Sequence, residues 1–149
     1  MDMMNKVFLK SSREKSLMRK HPWVFSGAIA RITGQPELGE TVEICDSTGK
    51  FVAWGAYSPE SQISIRVWSW NPNEKINRDF LLRRLKNAIF ARASLFVDPV
   101  NTHVCSGDIV SLIHALPSAV RLVNAESDGL PGFVVDRYSS TLVLQFLSA

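Results

Sequence analysis

Apolar and polar residues alternate along this chain with two different periods, and the points where the period changes divide it into segments. Lys6-Val-Phe-Leu has the short alternation of a strand. SSREKSLMRKHPW, residues 11–23, then predicts a compact helix. Ser11 or Ser12 is its expected cap, and Glu14 falls in the first turn, where the positive helix end favours a carboxylate. Pro22 is expected to stop it, because the residue before proline avoids the helical region. From Trp23 to Trp70 the period shortens to two. Strands are expected at 28–33, from Thr41 to Ile44, at 51–57 and at 63–70. In the last of these Ile63, Ile65 and Val67 face one side, with Ser64, Arg66 and Trp68 on the other. Asp46-Ser-Thr-Gly-Lys is a hairpin connection in which Gly49 is free to take positive φ. Asn71-Pro72-Asn73 closes the section as a turn.

The period then lengthens to that of a helix. Leu81, Leu82, Leu85, Ala88, Ile89 and Ala93 form an apolar stripe over 78–96, while Arg78, Arg83, Lys86 and Arg92 lie largely elsewhere around it. Asn77 is the expected N-cap, and Pro99 stands at or just beyond the end. Residues 100–118 mix turn formers with an apolar run from Ile109 to Ile113, which reads as loop with one short helical piece. Strands are expected at 119–124, 133–137 and 141–146. The fold class is therefore α+β: short strands forming a small barrel or sandwich, followed by a mixed helix-and-strand segment.

Composition narrows the classes. A hydrophobic fraction of 46% with 21% charged residues is that of a globular chain. No apolar run approaches the roughly 20 residues of a membrane helix, so no membrane partner is expected. The N-terminus carries charges where a secretory signal would place its apolar core. Cys45 and Cys105 are too few for a disulfide framework and read as reduced thiols, so a cytoplasmic location is expected.

Net charge is +3 overall but segregated: +5 over 1–35, −4 over 36–74, +5 over 75–92 and −3 over 93–149. Two basic blocks can attract a polyanion, and the bland alternative is a solvated face that binds nothing. Lys10 to His21 is followed at once by Trp23 and Phe25, which joins phosphate-binding cations to aromatics able to stack on a base. Phe25 is expected inside the barrel, and Trp23 is open between stacking and burial.

Catalytic constellations are scarce. His103, Cys105, Asp108 and His114 could ligate zinc by type, but their spacing fits no paired-ligand pattern, so no metal is expected. No nucleophile elbow, phosphate-binding glycine loop or dinucleotide fingerprint is present. The stretch 124–138, NAESDGLPGFVVDRY, gathers Glu126, Asp128 and Asp136 around two glycines. Its Asp-Gly and Pro-Gly pairs favour a turn between two strands over an acid–base pair.

The sequence carries two resemblances. LGETVEICDSTGKFVAWGAYSPESQISIRVWSW is similar to a PUA domain, through Leu38-Gly39-Glu40, Asp46, Gly49, Ala53 and Gly55 in that order, with Glu40 where many such sequences have Asp. Together, REKSLMRKHPWVFSGAI, GAYSPESQISIRVW and ESDGLPGFVVDRY resemble bacterial large-subunit (23S) ribosomal RNA cytosine-5 methyltransferases, most weakly over 97–118. That resemblance implies a PUA RNA-binding domain, a small β pseudo-barrel, over 1–74. Residues 75–149 would be the start of an α/β linker domain, and a Rossmann-like catalytic domain that binds S-adenosylmethionine would follow. The catalytic cysteine and the cofactor glycines would then lie beyond Ala149, so the chain reads as a truncated member, with no cofactor in these residues and no catalysis by them alone. Ribosomal RNA is the expected partner. Arg13, Lys15, Arg19 and Lys20 would be phosphate contacts, His21 and Trp23 would stand beside them, and Lys10 and Arg66 would extend the surface. The rival expectations are a protein-interaction module, in which an unfinished sheet edge forms a homodimer, and a PUA module of another RNA modifier. The ESDGLPG block argues against the latter.

Overall fold

The computed structural model describes residues 5–96 and 109–147. They form two compact units that divide between Ile76 and Asn77.

The first unit is a curled six-stranded sheet. Its strands are β1 (Lys6–Leu9), β2 (Trp23–Phe25), β3 (Ile29–Thr33), β4 (Thr41–Cys45), β5 (Phe51–Tyr57) and β6 (Ile63–Ser69), in the spatial order β2-β6-β5-β4-β1-β3. All neighbours are antiparallel except β1 and β4, which run parallel. Val7, Leu9, Val24, Val42, Ile44, Ala53, Ile65 and Val67 point into the curl, and Leu17 from the short helix α1 (Lys15–Met18) closes one end of this core. The expected small barrel of short strands is what these residues build. β2 is an addition, since three residues are too few to show a period. Ser64, expected outside with Arg66, is buried, and its hydroxyl donates to the Ser61 carbonyl at 3.1 Å.

Two glycines are used for different reasons. Gly49, at φ +92°, turns the β4–β5 hairpin. There Asp46 Oδ1 accepts from the Thr48 amide, the Thr48 hydroxyl and the Lys50 amide at 2.7–3.0 Å. These bonds, led by the Thr48 hydroxyl, hold the Asp46 carboxyl below the usual carboxylate range. Gly55 needs no unusual dihedral, only space. A Cβ there would overlap Ile65 Cγ2 and stand 2.9 Å from the Arg66 carbonyl, with Ile44 Cδ1 at 3.3 Å. Two of those neighbours are core side chains and one is backbone, so little can yield. Gly55→Ala is expected to destabilise the first unit by about 2 kcal/mol, measured as a lower urea midpoint at unchanged m-value.

The start of α1 differs from expectation. Ser12 adopts φ +67° within a turn, so the helix begins at Lys15 with Glu14 as its N-cap and no side-chain capping bond. Neither serine caps. Its end also precedes Pro22: Lys20 turns left-handed at φ +63°, the Lys20 amide donates to Leu17 O at 2.9 Å and the His21 amide to Ser16 O at 3.0 Å. This paired closure normally has glycine at the left-handed position.

In the second unit α2 (Arg78–Phe96) is capped as expected, with the Phe80 amide donating to Asn77 Oδ1 at 3.0 Å. Its buried residues are Phe80, Ala88, Ile89 and Ala93, whereas Leu81 and Leu82 are exposed, so the true stripe lies one position away from part of the expected one. α3 (Ile109–Ala115) supplies the short helical piece, and Pro99 lies outside the described residues. β7 (Ala119–Asn124), β8 (Phe133–Tyr138) and β9 (Thr141–Phe146) form an antiparallel meander. The 124–138 stretch holds the connection between β7 and β8, a 3-10 turn over Ala125–Asp128 followed by Gly129 at φ +67° and Gly132 at φ +70°, and then β8 itself.

Candidate nucleic-acid interface

The basic block becomes a surface because of one apolar residue. Leu17 is buried in the barrel core, which fixes α1 on its inner face and leaves Arg13, Lys15, Arg19 and Lys20 in solvent. The left-handed Lys20 then reverses the chain, bringing exposed His21 back beside the sheet, where its ring meets Trp23 edge-on at 5.6 Å. Lys20 Nζ stands 4.9 Å from the centre of the Trp70 ring, a cation–π contact that leaves most of the ammonium's solvation intact. Lys10 Nζ donates to the Gly27 carbonyl at 2.9 Å. Arg66 is half-buried on β6 directly opposite Trp23. The predicted site residues thus fall into two groups. Lys10, Arg13, Trp23 and Arg66 gather around the β2 edge, while Lys15, Arg19 and Lys20 with His21 ride on α1 and its exit.

Between them lies a cavity of about 350 Å³, walled by Arg13, Ser16, Leu17, Trp23, Val24, Phe25, Gly27 and Ala28. Phe25, expected in the barrel, is 49% exposed here. The reason is the period of the strand: Val24 is the inward residue, so both neighbours face outward. The register slip between Val24 and Phe25 loosens that end further. Alternation across Trp23-Val-Phe was the sequence signal available for this residue.

The acidic stretch serves structure. Asp128 Oδ1 accepts from Arg92 Nη1 at 2.6 Å, and Oδ2 accepts from the Asn124 amide at 2.6 Å. Asp136 receives Arg121 across the β7–β8 pair through Nε at 2.8 Å and Nη2 at 3.0 Å. The Arg121 hydrogen bonds hold the Asp136 carboxyl below its ordinary range. The Asp136 pair therefore stabilises the fold above the unfolded carboxylate pKa, and that stabilisation is lost as the pH falls through the lowered value.

No covalent chemistry is set up at Cys45. Burial first, then the hydrogen bond to Glu43, pushes its thiol up to about 11, which suppresses the thiolate that reacts. In a Cys105→Ser background, Cys45 is expected to resist iodoacetamide at pH 8 for hours in the native state and to label within minutes in 6 M guanidinium, checked by intact mass. Among the described residues no group of three His, Cys, Asp or Glu side chains converges on a metal position. His114 is exposed, and His103, Cys105 and Asp108 lie outside the described residues. No described helix is long and apolar enough to cross a membrane.

A curled mixed sheet with a short helix against its core defines the class: residues 7–70 match the PUA-like domain family, and this part of the chain has the PUA-like fold. Over nearly its whole length the chain is similar to proteins named ribosomal RNA large subunit methyltransferase I. It is 48% identical over 144 residues to that of Erwinia tasmaniensis, covering 97% of this chain and 32% of the relative. It is 47% identical over 148 residues to that of Photobacterium profundum, covering 99% and 33%. For an Escherichia coli relative the identity is 46% over 145 residues, covering 97% and 32%. The chain thus spans about a third of the length of these relatives. Two solved structures share the fold. A Streptococcus mutans chain described as a candidate SAM-dependent methyltransferase superposes with a TM-score of 0.70 at 15% identity, covering 99% of this chain and 34% of that one. A second candidate methyltransferase, complexed with SAH, gives 0.71 at 16%, covering 99% and 33%.

Proposed function

We propose that this chain is the RNA-recognition portion of an S-adenosylmethionine-dependent methyltransferase that acts at C5 of a cytosine in large-subunit ribosomal RNA. The observation that carries the reading is the cation cluster of α1, held outward on a PUA-like barrel by the buried Leu17. Arg13, Lys15, Arg19 and Lys20 bind phosphates, His21 and Lys10 extend the track, and Arg66 supports it from β6. The second unit, 77–147, is the start of a linker that carries the barrel toward a catalytic portion. That portion supplies the cofactor site and the nucleophile, and S-adenosylmethionine would provide the methyl group there. These residues hold the RNA and do not themselves catalyse. The similarity to relatives named as ribosomal RNA methyltransferases supports the reading.

The test is a titration of a fluorescently labelled 23S ribosomal RNA hairpin at two salt concentrations. Phosphate-driven binding weakens steeply as salt rises, because it depends on released counterions. Absent or salt-independent binding rejects the proposal. Calorimetry with S-adenosylmethionine is expected to give no saturable heat, and a saturable signal would place a cofactor site in these residues.

One observation favours a second reading, association between copies. β9 is exposed at every position, with Phe146 at 73%, and as the end strand of its sheet it has one edge without a strand partner among the described residues. Concentration-dependent dimerisation in sedimentation, with no RNA affinity, would favour that reading.

A further inference from the structure

We infer that the cavity between α1 and β2 is a pocket for one unpaired nucleotide, with Phe25 as the stacking surface. The inference rests on the RNA-recognition reading and adds to it the form of RNA that the site selects.

The pocket has the parts a nucleotide needs. At about 350 Å³ it lies at the small end of ligand cavities, the size of one nucleotide and not of a helix. Its apolar wall is Phe25, half of whose surface faces solvent, with Trp23 on the same outward face of β2. At Gly27 a Cβ would meet nothing within 4 Å, so that side is open to a ligand's backbone. Arg13 and Ser16 supply a cation and a hydroxyl on the α1 side, and Lys10 reaches the Gly27 carbonyl at the rim.

These features favour a single strand over a duplex. Stacking on an exposed ring requires a free base face, which a paired base inside a helix does not offer. Phosphate contacts alone bind both forms, so the cations of α1 cannot make this choice. Phe25 can, because it acts only on a base that has left its helix. Trp23 is the lesser candidate: His21 covers it edge-on, and it is more buried than Phe25.

The experiment compares a single-stranded RNA hexamer with a blunt RNA duplex of the same length on the intact chain, at one fixed salt concentration. Phe25→Ala is expected to weaken hexamer binding about tenfold and to leave duplex binding unchanged, since base–aromatic stacking is sequence-tolerant and lost on truncation. Phe25→Trp is expected to restore it. A hexamer carrying 5-iodouridine is expected to crosslink at Phe25 on irradiation, located by peptide mass. An unchanged urea midpoint for Phe25→Ala separates lost stacking from lost folding.

Equal loss on hexamer and duplex, or no loss on the hexamer, overturns the pocket. If hexamer binding survives Phe25→Ala but collapses in Arg13→Ala/Arg19→Ala, the RNA-recognition reading stands and the nucleotide pocket falls. If the wild-type chain binds neither RNA, both fall.

Discussion

Replacing Arg13, Lys15 and Arg19 together with alanine is expected to lower affinity for a ribosomal RNA hairpin about 100-fold at about 0.1 M salt, and to reduce the slope of log K against log salt by about 2 to 3. The magnitude follows from counterion release: each phosphate contact contributes nearly one unit of slope, and three are removed. The substitution is structurally mild, because all three side chains are exposed and the anchor of the helix, Leu17, is untouched. Far-UV circular dichroism and the urea midpoint should therefore hardly move. A matched control comes from α2, where Arg78→Ala/Lys86→Ala removes two exposed cations of the second basic block. That pair is expected to change affinity less than fivefold. If the control variant loses as much as the triple variant, RNA binding follows total charge and has no seat on α1.

The second large effect is on stability. Asp128→Ala is expected to cost the second unit about 3 kcal/mol. Asp128 and Arg92 are only 11% and 18% exposed as side chains, so truncation takes the carboxylate from a largely buried guanidinium and leaves it the Arg121 and Ala88 carbonyls as acceptors. It also leaves the Asn124 amide without its carboxylate acceptor. The same residue begins the turn in which Gly129 takes its left-handed conformation, so the β7–β8 connection loses its clamp to α2. Asp128→Asn retains an acceptor and should cost less than half as much. Because α2 is the long helix of the described residues and belongs to the second unit, the change should appear in urea melts followed at 222 nm. Equal midpoints for wild type and Asp128→Ala would show that the clamp contributes nothing.

Both expectations bear on what the sequence discloses. Period-two alternation located β4, β5 and β6, and turn chemistry located Gly49 and the Gly129–Gly132 connection, because those signals are local. The α2 stripe was misread where a distant partner decides. Phe80, Arg84, Ala88 and Arg92 recur every four residues, and two of these four are arginines that hydropathy assigns to solvent. Arg84 lies over Phe80, 5.0 Å from the ring centre, and Arg92 reaches Asp128 thirty-six positions away. Leu81 and Leu82 are consequently turned outward.

Charge segregation was similarly half legible. The first block remains largely a surface, although Lys6 pairs with Glu43 at 3.0 Å, Lys20 stands over Trp70 and Arg31 sits 3.5 Å from the centre of the Phe8 ring. The second block is partly consumed in folding, through Arg83, Arg84 and Arg92. Nothing in a run of cations distinguishes those that meet a ring or a carboxylate from those that meet water. At the candidate site the exposed cations are legible from composition, whereas Phe25 reads as core until Val24 is taken as the inward residue of its strand. The capping error has the same origin. Ser12 lies in a left-handed turn that no propensity would have given it.

The position of β1 has a consequence for how the chain is made. It lies between β3 and β4, parallel to the latter, so the earliest of the six strands in the sequence is an interior strand of the finished sheet. During translation its hydrogen-bonding groups must wait on both sides, first for residues 29–33 and then for residues 41–45. A deletion reaching Leu9 would therefore remove the strand that joins β3 to the rest of the sheet, instead of trimming an edge.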